Sequence, residues 1–450
     1  MPKVEIHLSV TVALDWLDVN RAIALFQEMQ AQVGCALATS YLEAIQDATL
    51  DEVLGPKWED VPQSEAPWTC PQCESTAGFK RRGSRRRKLR KSSLGPIPFE
   101  LRQVTCRRCH STFAPFAGWL GLEPYQVSSS EFQAKVVETA CQVSYGRSVA
   151  MVDDLARVQV SATAAHRWVQ ERGKSVKLDA GRADGRPLLL DATRVHAGTN
   201  PRGCNLNLGI SLAGRRWVGG RAQMEIHPVC LGVDETWSET GEALAACSPG
   251  RVVYDGDPDV VQWIEKTFRE VPQQRCSWHL VHELGRHLWE DGLKQAQART
   301  WVNQVCQILY QPEYSLSQRR AALHALIQQV RDRGFTHAVH YLEGAESHLF
   351  AYREQPDGMF FDQQRQEPLA ISSTSPVERQ MREINRRTDV GARWQPAGVT
   401  NLLRLDLIRR FDMQQWDLLW DLPRSGHDES LTANLQVSVS VRPSPNVNTS

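Results

Sequence analysis

No run of about 18 apolar side chains occurs anywhere in these 450 residues, which excludes a membrane-spanning helix. The opening MPKVEIHLSV also lacks the basic flank and apolar run of a secretory leader. The expected site of action is therefore the cytoplasm, in association with the nucleoid. The cysteines, 11 in number, are odd and widely scattered, which argues against a disulfide framework. There is no net charge. Apolar content of 41% and charged content of 23% are those of ordinary folded domains, and the length suits about two to four of them.

The zero net charge hides a sharp segregation. Residues 1–67 hold 3 basic and 11 acidic side chains, whereas residues 68–118 hold 12 basic and 2 acidic ones. Such a division suggests a polyanion-binding module beside an acidic surface, with nucleic acid as the first candidate.

The basic stretch also carries two C-x-x-C turns, Cys70/Cys73 and Cys106/Cys109. Each turn aims two thiolates at one point, and two turns complete a four-cysteine structural zinc site for a single ion. His110 follows directly as a possible substitute ligand. The 32 intervening residues must form an extended hairpin, and they hold nine basic side chains among twelve: Lys80, Arg81, Arg82, Arg85, Arg86, Arg87, Lys88, Arg90 and Lys91. A metal-pinned ribbon presenting that run is suited to phosphate contacts.

Apolar residues at helical spacing predict helices over residues 1–55, among them Trp16-Leu17 and Leu42-Ala44-Ile45. A polar, proline-bearing link (GPKWEDVPQSEAPW) then marks a boundary. Residues 127–175 read as purely helical. Within them Ser148–Arg157, a turn at Val158–Val160 and Ser161–Arg172 predict a helix-turn-helix with Ser161 as N-cap. Ala164, Ala165 and Trp168 would pack inward. Thr163, His166, Arg167 and Gln170 would face a DNA groove.

From about residue 186 strand-like runs appear: PLLLDATRVHAG, CNLNLGISLAG and MEIHPVCLGV. A helix over Glu235–Ala246, a strand in RVVYDG, a helix over Pro258–Arg269 and a strand in QQRCSWHL follow. That order predicts a mixed sheet covered by helices. Residues 281–350 read as all-helical, and the Ser/Asn/Val-rich tail after Pro423 as disordered.

Three acids stand out. Asp191 lies inside an apolar strand, a costly place for a carboxylate that binds nothing. Asp255 ends the strand RVVY and precedes a glycine. Glu378 opens a helix for which Ser375 and Pro376 supply an N-cap and an N1 proline. Carboxylates converging from separate elements are what two Mg²⁺ or Mn²⁺ ions require. Asp234, Glu235, Asp257 and Asp259 are rival acids, Asp257 the most serious.

VVYDG, then QQRCSWHL about twenty residues on, then SPVERQMREINRRT resemble the Mutator-like transposases of bacterial insertion sequences. The resemblance covers about residues 185–400. It implies an RNase H-like catalytic domain with a helical insertion, hence an α+β multidomain chain fronted by a zinc ribbon and helix-turn-helix. Asp191, Asp255 and Glu378 would be its DDE triad. Cys276 and His279 would be its C-x-x-H pair, read from the residues as a packed, hydrogen-bonded support rather than a metal site. Glu378, Arg379, Asn385, Arg386 and Arg387 would be its late helix motif. Arg379, Arg382, Arg386 and Arg387 would meet phosphates, and Asn385 would support the site.

The layout expected is an acidic helical region over 1–66, the ribbon over 67–120 and the helix-turn-helix over 127–178. A catalytic domain over 184–280 and 371–415 would be split by an insertion over 281–370, with a tail over 423–450. The partners implied are double-stranded DNA, as terminal inverted repeats and target, and a second copy of the chain. A DNA-binding regulator without turnover, or a nuclease without strand transfer, are the alternatives.

Overall fold

A computed structural model describes residues 19–55, 66–354, 360–362, 364–389 and 393–422. Trp16-Leu17, most of the proline-bearing link and the tail after Pro423 lie outside the described residues.

The first element, α1 (Val19–Leu54), lies along a three-stranded antiparallel sheet. Its strands are β1 (Phe79–Leu89), β2 (Ile97–Cys106) and β3 (Thr112–Phe113), followed by the short α2 (Phe116–Trp119). The acidic charge of α1 is spent on this basic sheet. Asp47 takes both ends of the Arg102 guanidinium at 2.7 and 2.8 Å, and Asp51 accepts from Arg81 at 2.6 Å. Glu43 and Gln46 also accept from the backbone N–H groups of Glu100 and Arg102, so α1 covers the open edge of β2. Leu50, Val53, Phe79, Phe99, Val104 and Phe116 form the core beneath.

Three helices follow: α3 (Ser130–Gln142), α4 (Tyr145–Ala156) and α5 (Ala162–Ser175). Each is capped by the serine before it, Ser129, Ser144 and Ser161.

The large sheet begins with β4 (Pro187–Val195), β5 (Cys204–Val218) and β6 (Arg221–Val233), paired antiparallel. The segment 235–246 is broken where a continuous helix was expected. It forms α6 (Trp237–Thr240) and a 3-10 turn, parted at Gly241, where any side chain would run into the Trp263 ring. Next come β7 (Arg251–Tyr254), α7 (Pro258–Thr267) and β8 (Gln273–Arg275); β7 and β8 add parallel strands beside β4. The strand expected through QQRCSWHL stops at Arg275. Cys276 instead becomes the N-cap of a helix, its sulfur accepting from the His279 N–H at 3.5 Å.

That helix, α8 (Ser277–Glu290), joins α9 (Gln295–Tyr310), α10 (Leu316–Asp332) and α11 (Thr336–Glu346) in a bundle with its own apolar core, trailed by α12 (Ala351–Glu354). The helical unit thus starts at 277 rather than 281. It ends before β9 (Phe361–Asp362) and β10 (Glu367–Pro368), which return to the edge of the sheet. The chain closes with α13 (Ser375–Thr388), α14 (Pro396–Phe411) and α15 (Met413–Trp420).

The sheet is mixed and covered by helices, an α+β arrangement. One face packs Leu206, Leu208 and Ile210 against Val377, Ile384 and Leu403 of α13 and α14. The other packs Leu188, Leu190 and Val252 against Trp237 and Trp263. A third core joins α3, α4 and α5 to Leu402, Leu405, Ile408, Trp416 and Trp420. The helices of 127–178 therefore share an interior with residues 396–422 instead of forming a body of their own.

Candidate active site

Parallel pairing places Leu190 opposite Tyr254, so the next residues are neighbours, Asp191 within β4 and Asp255 just past the end of β7. Glu378 is in the first turn of α13, which packs across β4. Asp191 is buried. Burial, then the charges of Asp255 and Glu378, push its carboxyl well above the usual range. Asp255 is also raised by burial, against the opposing pull of the Asp257 N–H and the Arg275 guanidinium. Asp191 thus lies within electrostatic reach of both other carboxylates, and all three offer the hard oxygen donors that divalent cations take.

The rival acids have local duties. Asp257 is exposed and caps α7, its carboxylate accepting from the Asp259 N–H at 2.9 Å. Glu235 accepts from the Thr240 hydroxyl at 3.2 Å. Asp234, Glu235, Asp257 and Asp259 line an open groove that reaches Asp255.

Glu378 is held by residues from two other segments. Thr374, the N-cap residue of α13 in place of the expected Ser375, is buried. Its hydroxyl lies 3.1 Å from the Glu378 carboxylate, 3.1 Å from His279 Nδ1 and 3.3 Å from Cys276 Sγ, and its N–H also points at that sulfur. His279 Nδ1 is 3.8 Å from Glu378 Oε1. Burial, outweighing Glu378, lowers the His279 pKa and favours the neutral ring. A neutral imidazole with its proton on Nδ1 can donate to Thr374, which then donates to Glu378 or Cys276. Cys276, His279 and Glu378 also bring their ligand atoms within 4.8 Å of one another. The Asn385 amide donates to Thr193 Oγ1 at 3.3 Å, tying α13 to the strand of Asp191.

Sequence reasoning missed Thr374, Arg275 and Tyr341. Arg275 is buried, lies against Gly256 in the turn after Asp255, and donates to Tyr341 Oη at 3.1 Å. Tyr341 in turn donates to the His279 carbonyl at 3.1 Å.

The four cysteines of the front sheet converge, with Cys70 to Cys109 at 3.5 Å and Cys73 to Cys106 at 3.6 Å. Burial raises the Cys70 thiol, but N–H groups of Gln72 and Cys73 and the neighbouring thiols bring it down to about 7. Both turns close through a left-handed residue, Glu74 and His110, so His110 shapes the second turn and is not in the cluster. Of the basic run, Lys80, Arg82, Arg85, Arg86, Lys88 and Arg90 are exposed, and Arg87 and Lys91 are half-buried. Arg81 is engaged by Asp51 and the Gly55 carbonyl.

On α5, Thr163, His166 and Arg167 are exposed, and Ala165 and Trp168 are buried. Gln170 departs from expectation: it is half-buried, donating to the Gly398 carbonyl at 3.1 Å and accepting from Asn401 at 2.8 Å, and so faces α14 rather than a groove. Arg379, Arg382 and Arg386 are exposed, Arg386 paired with Glu383 at 2.7 Å. Arg387 does not join them. Its guanidinium is buried between the rings of Tyr145 and Trp394 and donates to the Ala140 carbonyl at 2.9 Å, a contact that binds α13 to α3 and α4.

The family model described as Transposase, Mutator family, matches residues 247–405. The match takes in Asp255, Cys276, His279, Glu378 and Asn385, and leaves Asp191 and the front of the chain outside it. No curated protein matches the chain. Among the described residues no helix is long and apolar enough to cross a membrane.

Proposed function

We propose that this chain, which carries a Mutator-family transposase domain over residues 247–405, is a metal-dependent DNA transposase acting through Asp191, Asp255 and Glu378. The observation that carries the reading is the buried Asp191 carboxyl, on the strand paired with that of Asp255 and raised by the charges of Asp255 and Glu378, the last on a helix about 120 residues further on. The strand order β6-β5-β4-β7-β8, antiparallel and then parallel, supports an RNase H-like catalytic domain with α8–α11 as its insertion.

The residues present fit a divalent metal. Asp191, Asp255 and Glu378 would be its ligands, with Thr374 and His279 fixing the Glu378 rotamer. Bound Mg²⁺ or Mn²⁺ would activate water and stabilise the attacking and leaving oxygens of a phosphodiester. The four-thiol cluster is read as a zinc ribbon that presents the basic strand to phosphates, and α4–α5 as a helix-turn-helix contacting base edges through Thr163, His166 and Arg167. On this reading the chain binds terminal inverted repeats, cuts at their ends and joins the freed 3′-hydroxyl to target DNA, working as a dimer that holds two ends.

The test is a cleavage and joining assay with Mg²⁺. Asp191→Ala, Asp255→Ala and Glu378→Ala should each lose activity roughly thousand-fold or more, since several kcal/mol of charge stabilisation go at about 1.4 kcal/mol per factor of ten. DNA binding should survive. Asp257→Ala and Asp259→Ala should stay active. Full activity in a triad variant would remove this mechanism, and cleavage without joining would make the chain a nuclease.

A further inference from the structure

Between the basic sheet and α3 the chain makes a short loop, and one side chain on it has no structural employment. Tyr125 is 87% exposed, the most exposed large apolar side chain among the described residues. Its backbone is left-handed, with φ of 61°. It follows Pro124 in a turn closed by the Gln126 N–H donating to the Glu123 carbonyl at 3.2 Å. Glycine or asparagine normally takes that position, because a β-carbon there costs about 1 kcal/mol. A tyrosine thus sits, ring outward, where the turn itself would favour glycine.

The turn is fastened to the basic strand. Arg87 donates to the Glu123 carbonyl at 3.0 Å. Lys91 exchanges backbone bonds with Val127 and Ser129 at 3.0 and 2.9 Å. The Gln126 side chain ties Glu123 N–H to the Ser128 carbonyl. The ring is therefore carried on a braced turn bonded to Arg87 and Lys91 of the basic run and followed closely by Ser129, the cap of α3. Glu123 is the one carboxylate of the turn.

We propose that Tyr125 is an apolar contact of the DNA interface, its ring lying against sugars and base edges of a groove beside phosphates held by the basic run. This deepens the proposed DNA binding and rests on it. An apolar ring in a groove meets sugars and base edges, whereas the cations meet only phosphate, so the two contributions separate experimentally. Burying one large apolar side chain, worth about 1.5–3 kcal/mol, corresponds to roughly ten- to hundred-fold in affinity.

The experiment uses the full chain and a duplex of mixed sequence titrated at several salt concentrations. Tyr125→Phe should bind as the unmodified chain does. Tyr125→Ala and Tyr125→Gly should weaken binding roughly ten-fold or more while leaving the slope of log affinity against log salt unchanged. Arg86→Ala should lower that slope by about 0.9. Tyr125→Gly also relieves the backbone, so its thermal midpoint should equal or exceed that of the unmodified chain. Loss of binding in a variant that folds at least as well separates an interface role from a structural one. Normal binding by the glycine and alanine variants, with the unmodified chain binding well, overturns this inference alone. No binding by the unmodified chain overturns the DNA-binding reading with it.

Discussion

Gly256→Ala is the sharpest single test of how Asp255 is held. Gly256 has φ of +85°, and a β-carbon there would overlap the Arg275 guanidinium. The left-handed backbone alone costs an alanine about 1 kcal/mol. The guanidinium can make room only by leaving Tyr341, giving up a charged hydrogen bond worth about 1.5–3 kcal/mol inside a packed site. With some repacking strain the sum is about 3–5 kcal/mol, a large share of a typical domain's stability. The thermal midpoint of the sheet and bundle should fall by about 10 °C. Shortening the arginine, as in Arg275→Gln, should relieve the overlap, so the double variant should be more stable than the two single losses predict, by about 1 kcal/mol or more. Strict additivity, or a Gly256→Ala midpoint within about 2 °C of the unmodified protein, would refute the packing of Arg275 on this turn. Activity should fall further than stability, because the turn carries Asp255.

Two other outcomes are expected. Cys70→Ser should lower the zinc content of the purified chain, measured by elemental analysis, and weaken DNA binding while the circular dichroism of the large sheet persists; undiminished zinc would exclude the four-thiol site. Asp362 is buried, and although burial raises its pKa, bonds from Arg365 N–H, Arg215 and Trp217 bring it down to about 2. Because the folded value lies below the unfolded one, its contribution is complete above about pH 4 and is lost as pH falls towards 2. The difference in thermal midpoint between the unmodified chain and Asp362→Asn should be constant at neutral pH and close in acid, and a pH-independent gap would rule this out.

Legibility in the sequence followed the range of the interactions. Asp191 could be picked out because a carboxylate inside PLLLDATRV violates the pattern of a buried strand, and Asp255 because a glycine follows it at a strand end. The two C-x-x-C turns were equally plain. What could not be read depends on partners far along the chain. Gln170 looks like a groove-facing residue until α14 arrives from 228 positions away to take its amide. Arg387 belongs to a run of arginines, yet the rings of Tyr145 and Trp394 decide its fate. The strand through QQRCSWHL ended early because Cys276 turned its sulfur back on the His279 N–H, an option that apolar periodicity does not encode.

The same long-range contacts change how the proposed helix-turn-helix sits in the fold. Gly173 on α5 meets α14 so closely that a β-carbon would strike the Asn401 backbone, so the two helices cross with nothing between them. Helix α14 gives Val399, Leu403 and Leu407 to the sheet and Leu402, Leu405 and Ile408 to α3–α5, so one helix is common wall to both interiors. Helix α13 reinforces the join from the other side, with Glu378 in its first turn and Arg387, clasped by α3 and α4, in its last. An interface built of fully buried leucines and tryptophans does not hinge as small polar interfaces between domains do. The exposed face of α5 and the acid cluster are thus carried on one rigid body. If α5 reads DNA and the three acids cut it, as proposed, α13 and α14 would fix the distance between recognised bases and the cleaved bond, making that spacing a property of the fold rather than of a linker.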